Sequence, residues 1–116
     1  MVNSRSKGKR GELEIAHLLK ARGYDARRGQ QFSGIYGDAD VIGLPGIHIE
    51  AKRVERLDLK AAYAQSIRDA REFEMPTVWH RKNNEQWMVT LSADDFLRLY
   101  ERSFSIRDPE KTETGA

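Results

Sequence analysis

The chain of 116 residues is long enough for one domain with a modest core and too short for two. It contains no cysteine, which excludes disulfides, a thiolate zinc site and a cysteine nucleophile. A third of the residues are charged, the net charge is +2, and no apolar run approaches a membrane span, so a soluble, cytoplasmic protein with no membrane partner is expected.

Residues 1–6 read as a basic, polar arm. Residues 7–22 carry helical spacing, with Gly8, Ile15, Leu18 and Leu19 on one stripe and Gly23 as the stop. Glu12 falls inside that stripe. It is either an inward acid that needs a partner, or a helix-start acid favoured by the helix dipole. Tyr24–Arg28 reads as a short strand. Gly29–Gly37 is a polar loop without periodicity, containing Gln30, Gln31, Phe32 and Ser33, and is a candidate substrate-contacting loop.

Two short apolar runs then flank Leu44-Pro45-Gly46, which is strong turn punctuation, so Ala39–Lys52 reads as a β-hairpin. By strand alternation Ile47, Ile49 and Ala51 share one face, and His48, Glu50 and Lys52 share the other. Pairing symmetric about Pro45 sets Asp40 opposite Glu50, about 5 Å apart at Cβ. A two-residue Pro-Gly turn sets Asp40 opposite Ala51 instead. Asp38 is a second acid of the same parity as Asp40.

A second helix is expected over Leu59–Phe73, capped by Asp58, with Leu59, Tyr63, Ser66, Ala70 and Phe73 inward and Gln65, Arg68 and Glu72 on a polar face. Strands Thr77–His80 and Trp87–Leu91 form a second hairpin. Ser92 caps a third helix, whose apolar side is Phe96, Leu97, Leu99 and Tyr100. The expected order is α-β-β-β-α-β-β-α, an α/β (α+β) single domain over 1–102 with a polar, disordered tail over 103–116.

Asp40 and Glu50 are hard oxygen ligands. With the Ala51 carbonyl between Glu50 and Lys52 they suit Mg²⁺, which keeps several waters and also binds substrate phosphate. Glu12 is within reach of the same ion, directly or through water. Lys52 either orients and deprotonates the attacking water or stabilises the charge that develops on phosphate. The bland reading is a surface strand with a cross-strand ion pair. His17, His48 and His80 lack zinc-ligand spacing, and His48 reads as a satisfied strand histidine or a phosphate contact. Basic residues cluster at Arg5, Lys7, Lys9 and Arg10, at Arg27 and Arg28, at Lys52, Arg53 and Arg56, and at His80, Arg81 and Lys82, which favours a polyanionic partner. Lys7, Lys9, Arg10, Arg27, Arg28, Arg53 and Arg56 are the candidate DNA contacts.

The D-x9-E-x-K arrangement of Asp40, Glu50 and Lys52, behind a helix carrying Glu12, resembles the PD-(D/E)xK nuclease superfamily. Lys7-Gly8-Lys9-Arg10-Gly11-Glu12-Leu13-Glu14 and Gly23-Tyr24-Asp25-Ala26-Arg27-Arg28 resemble archaeal and phage-encoded Holliday-junction resolvases within it. Ala39 stands where the motif has its proline. The resemblance implies a restriction-endonuclease-like core and Mg²⁺-dependent cutting of branched DNA by a homodimer, with Mn²⁺ able to substitute. It implies Glu12, Asp40, Glu50 and Lys52 as catalytic residues, with Gln65 near them on the following helix. It also implies a host-cell cytoplasmic location if the protein is phage-encoded. A flap, fork or restriction-type nuclease of the same fold, and a non-catalytic DNA-binding module, are the alternatives. The apolar residues of the first and last helices, with Tyr100 and Phe104, are candidates for a dimer face.

Overall fold

The structure, a computed structural model, describes residues 4–29 and 39–107, with side chains over 8–29 and 39–104. The expected loop residues Gln30, Gln31, Phe32 and Ser33, the acid Asp38 and the Lys7 side chain lie outside the described residues. The elements are α1 (Ser4–Lys20), β1 (Arg27–Arg28), β2 (Val41–Ile42), β3 (Ile47–Arg53), α2 (Leu59–Asp69), β4 (Met75–Arg81), β5 (Met88–Thr90) and α3 (Ala93–Arg107). This is the α+β order read from the sequence. The five strands form one sheet in the order β1-β2-β3-β4-β5. All neighbours are antiparallel except β3 and β4, which run parallel and are joined through α2. A parallel pair needs such a crossover.

α1 buries Gly11, Ile15, Ala16 and Leu19, a stripe at helical spacing. Leu18, expected on that stripe, is largely exposed. The helix starts three residues earlier than expected and ends at Lys20. There the Gly23 N–H donates to the Lys20 carbonyl (2.9 Å) and the Tyr24 N–H to the Leu19 carbonyl (3.2 Å). This is a Schellman ending. Its left-handed residue is Gly23 (φ 95), a conformation that costs a side-chain-bearing residue. The chain is still turning through Tyr24, so the first strand is only Arg27–Arg28 rather than Tyr24–Arg28.

The hairpin settles its own register. The Ile47 N–H donates to the Leu44 carbonyl (3.1 Å) across Pro45 and Gly46 (φ 82), as in a type II turn. Continued without interruption, that turn would set Asp40 opposite Ala51. Instead Val41 pairs with Ile49, so β2 carries one extra residue relative to β3. Gly43 absorbs it at φ 118, and a Cβ there would lie 2.3 Å from the Asp25 carbonyl oxygen. The resulting ladder is symmetric about Pro45 and sets Asp40 across from Glu50.

β3 is buried on both faces. Ile49 meets Ile15, Ala16, Leu19, Ala26 and Val41 in the core beneath α1, with Ala51, Trp79 and Trp87 against it. The opposite face carries His48 and Glu50 beneath α2, which contributes buried Ala62 and Ser66. Asp58 caps α2 through the Ala61 N–H (3.0 Å), as expected. The helix stops at Asp69, four residues short of expectation, because the chain folds into a local turn. The Glu74 N–H donates to the Arg71 carbonyl (2.9 Å), and the Arg71 N–H to Glu74 Oε1 (2.9 Å). Phe73, expected inward, is therefore 78% exposed. Ser92 caps α3 through the Asp95 N–H (3.0 Å). α3 continues to Arg107, beyond the boundary expected at 102. Tyr100 stacks on Phe104 at 4.4 Å and carries the helical repeat past that point.

Glu14 ties α1 to the far side of the sheet. Its Oε1 accepts from Arg81 Nε (2.8 Å) and from Trp87 Nε1 (3.1 Å), and Arg53 Nε lies 3.4 Å from Oε2. Truncating it removes the carboxylate that faces two poorly exposed guanidinium groups, Arg81 keeping its bonds to the Lys82 and Glu85 carbonyls. Glu14→Ala is expected to lower stability by about 1–3 kcal/mol in urea unfolding, whereas the exposed Lys20→Ala should change little.

Candidate metal and catalytic site

Asp40 is fixed by its backbone before its side chain does anything. Its N–H donates to the Ile49 carbonyl (2.9 Å), and its carbonyl accepts from the Gly29 N–H (2.9 Å). The carboxylate then turns toward β3, where Oδ2 accepts the Ala51 N–H at 2.8 Å. Asp40 is 8% exposed and Glu50 1%. Glu50 Oε1 is hydrogen-bonded to His48 Nε2 at 2.8 Å. Glu50 Oε2 is buried and has no hydrogen-bond partner among the described residues. Lys52, next along the same strand face, donates from Nζ to Gln65 Oε1 of α2 at 3.3 Å. The sequence-predicted Asp40, Glu50, Ala51, Lys52 and Gln65 thus lie in one neighbourhood.

Two buried carboxyl groups side by side resist being ionised together. The Asp40 carboxyl is pushed from its ordinary value of 3.8 up to about 7. Burial is the largest cause and the Glu50 charge the next; the Ala51 N–H opposes, while the Glu12 charge and a side-chain hydrogen bond with Glu50 add to the rise. Glu12 therefore acts electrostatically on the pair from α1. Its Oε1 also accepts from Arg28 Nε at 2.9 Å, so its own partner is the arginine.

The residues present fit a hard divalent cation. A buried Glu50 oxygen lacks a partner, Asp40 needs positive charge to stay ionised, and the donors are oxygens. His48, Glu50 and Asp69 also offer ligand atoms within 4.8 Å of one another, but His48 Nε2 is already engaged by Glu50 Oε1.

The basic residues separate into two groups. Lys9, Arg10, Arg27 and Arg56 are exposed. Arg28 is paired with Glu12. Arg53 turns to the α1 face, opposite to Lys52, where it lies poorly exposed against Glu14; that placement removes it from the expected DNA-facing group. Burial holds the His80 imidazole below its usual value, and it is hydrogen-bonded to Thr90 Oγ1 (2.9 Å), so it does not extend the basic cluster.

Sequence reasoning missed the partners behind Glu50. His48 was legible as a same-face neighbour by alternation, and Asp69 lies one helical turn beyond Gln65. Glu74, whose Oε1 lies 3.9 Å from His48 Nδ1, had no signal, because its position depends on where α2 ends.

The Asp40 shift sets the sign of a pH effect. A folded value near 7 against an unfolded value near 3.8 means that the folded state binds the extra proton between them. Stability of the metal-free protein should fall as pH rises from about 4 through 7, then level off. Asp40→Asn should remove that slope and raise the urea midpoint at alkaline pH. Urea-unfolding midpoints measured across this range check both.

No protein-family model and no curated protein matches this chain.

Proposed function

We propose that the protein is a Mg²⁺-dependent, structure-specific DNA endonuclease of the PD-(D/E)xK kind, resembling Holliday-junction resolvases and hydrolysing phosphodiester bonds in branched DNA. The observation that carries this reading is the buried Asp40–Glu50 pair with its unpartnered Glu50 oxygen, beside a lysine oriented by a glutamine.

In this reading Asp40, Glu50 and the Ala51 backbone hold Mg²⁺ or Mn²⁺, with Glu12 at the margin. The bound ion supplies Lewis-acid activation of a water and stabilisation of charge on phosphate. Lys52, held by Gln65, directs its ammonium toward the reacting phosphate and steadies the charge that develops there. Lys9, Arg10, Arg27 and Arg56 contact backbone phosphates without reading sequence, which makes binding salt-sensitive. No helix among the described residues is long and apolar enough to cross a membrane, and a DNA substrate fits a cytoplasmic location.

A homodimer belongs to the same reading, since resolving a four-way junction needs two cuts. The exposed Phe96, Leu97, Tyr100 and Phe104 of α3 are the face assigned to it. Two antiparallel α3 helices would bring Asp94 and Asp95 of each toward the arginine-bearing end of the other. Tyr100→Glu should then shift the protein to monomer in sedimentation equilibrium.

Cleavage of a four-way junction, a flap and a linear duplex with Mg²⁺ or Mn²⁺ tests the activity. Asp40→Asn and Glu50→Gln should abolish cutting and preserve junction binding. Lys52→Ala should slow cutting by about 10²–10³-fold with the fold intact. Cutting at the wild-type rate by both carboxylate variants would overturn the assignment. Equal cutting of linear duplex would point to the restriction-type alternative, and tight binding without cutting to a DNA-binding module.

A further inference from the structure

We infer that His48 is a positioning residue: it clamps one oxygen of Glu50 so that the other stays directed at a divalent cation. The inference rests on the metal-site reading above and goes beyond it, because no ligand role falls to His48.

A glutamate has three side-chain torsions to freeze, and a ligand oxygen that wanders lowers metal affinity. Glu50 has a close, buried contact to His48 and interacts with the protonated Asp40 carboxyl beside it. His48 lies two residues before it on the same strand face, and His48 Nε2 meets Oε1 at 2.8 Å with both side chains 1% exposed. A carboxylate oxygen only accepts, so Nε2 carries the proton and donates it. The same nitrogen is then not available to coordinate a metal. Oε2 is buried with no hydrogen-bond partner by geometry among the described residues.

The clamp is itself held. The His48 carbonyl accepts from Thr77 Oγ1 at 2.6 Å, which fixes the strand position. His48 Nδ1 faces Glu74 Oε1 at 3.9 Å, and that same oxygen accepts the Arg71 N–H at 2.9 Å. The 3.9 Å separation is too long for a hydrogen bond, so the hold on His48 comes from its backbone and its burial. Outer partners of this kind orient metal-ligating side chains, and losing one typically costs about 10–100-fold in metal affinity.

The test is Mn²⁺ binding by the DNA-free full chain, measured by titration calorimetry, with circular dichroism to confirm folding. His48→Ala should weaken Mn²⁺ by about 10–100-fold. His48→Phe, which keeps the volume and removes the donor, should do the same if the smaller side chain fails to fold. His48→Gln restores an N–H donor at similar reach and should recover most of the affinity. Wild-type affinity in His48→Phe would overturn the inference. So would a folded His48→Gln as weak as His48→Phe, because histidine would then be acting as a ligand. If the wild type binds no more Mn²⁺ than Asp40→Asn, the metal reading falls and the positioning role with it. If it binds Mn²⁺ and cuts no DNA, only the nuclease reading falls.

Discussion

Two carboxyl groups that repel each other are held in contact by a hairpin that does not relax to separate them. Asp40 is fixed through its backbone to strands on both sides, and Glu50 sits in β3, the middle strand of the sheet. Neither can retreat toward water without breaking the ladder. The resulting strain appears as a proton retained by Asp40 to near neutral pH. In the proposed reading a divalent cation would be favoured here for the same electrostatic reason that the proton is. The rest of the architecture follows from keeping that pair buried and in register.

β3 carries the consequence in its sequence. Its even-numbered positions are His48, Glu50 and Lys52, while Ile49 lies in the apolar core beneath α1. A strand covered on both faces usually reads as continuously apolar. Here the polar face is covered as well, which requires partners for each group. His48 serves Glu50, Gln65 serves Lys52, and Ala51 serves Asp40 through its N–H. Among the described residues, Glu50 Oε2 on this face and Arg53 Nε on the other are buried without a hydrogen-bond partner. A buried carboxylate oxygen left over in a network otherwise this well satisfied is what the proposed metal site would account for.

Much of this was legible in the residues. Alternation along Ile47–Lys52 gave the two faces of β3, Asp58 and Ser92 capped their helices as expected, and the element order held. The hairpin register was not decidable from its turn, because Pro45-Gly46 forms the two-residue turn that argues for the other pairing. What decides it is Gly43, whose extra residue is absorbed where the chain presses against Asp25 and Ala26. That contact is tertiary and leaves no local signature. Phe73 was misread because helical periodicity alone does not reveal that Glu74 and Arg71 form a turn of their own. Ser103 and Ser105 break the apolar pattern of α3, while the Tyr100–Phe104 stack that sustains the helix depends on only one side of it.

The basic residues show why spacing along the chain is a poor guide to a binding surface. Arg53 follows Lys52 directly and Arg28 follows Arg27, yet neighbours on a strand face opposite ways. Arg53 is turned to Glu14, and Arg28 to Glu12. Glu12 and Glu14 lie on different sides of α1, one toward β1 and the other toward β3 and β4, so ion pairs fasten the helix to the sheet at two places. Those arginines hold the domain together and mute the acids nearest the site. Of the cations expected to contact DNA, those exposed among the described residues are Lys9 and Arg10 on α1, Arg27 on β1 and Arg56 beyond β3. In the proposed reading a polyanion would meet this smaller set. In that reading its attraction must overcome the negative pair itself, and a divalent cation held by Asp40 and Glu50 would remove that repulsion at its source.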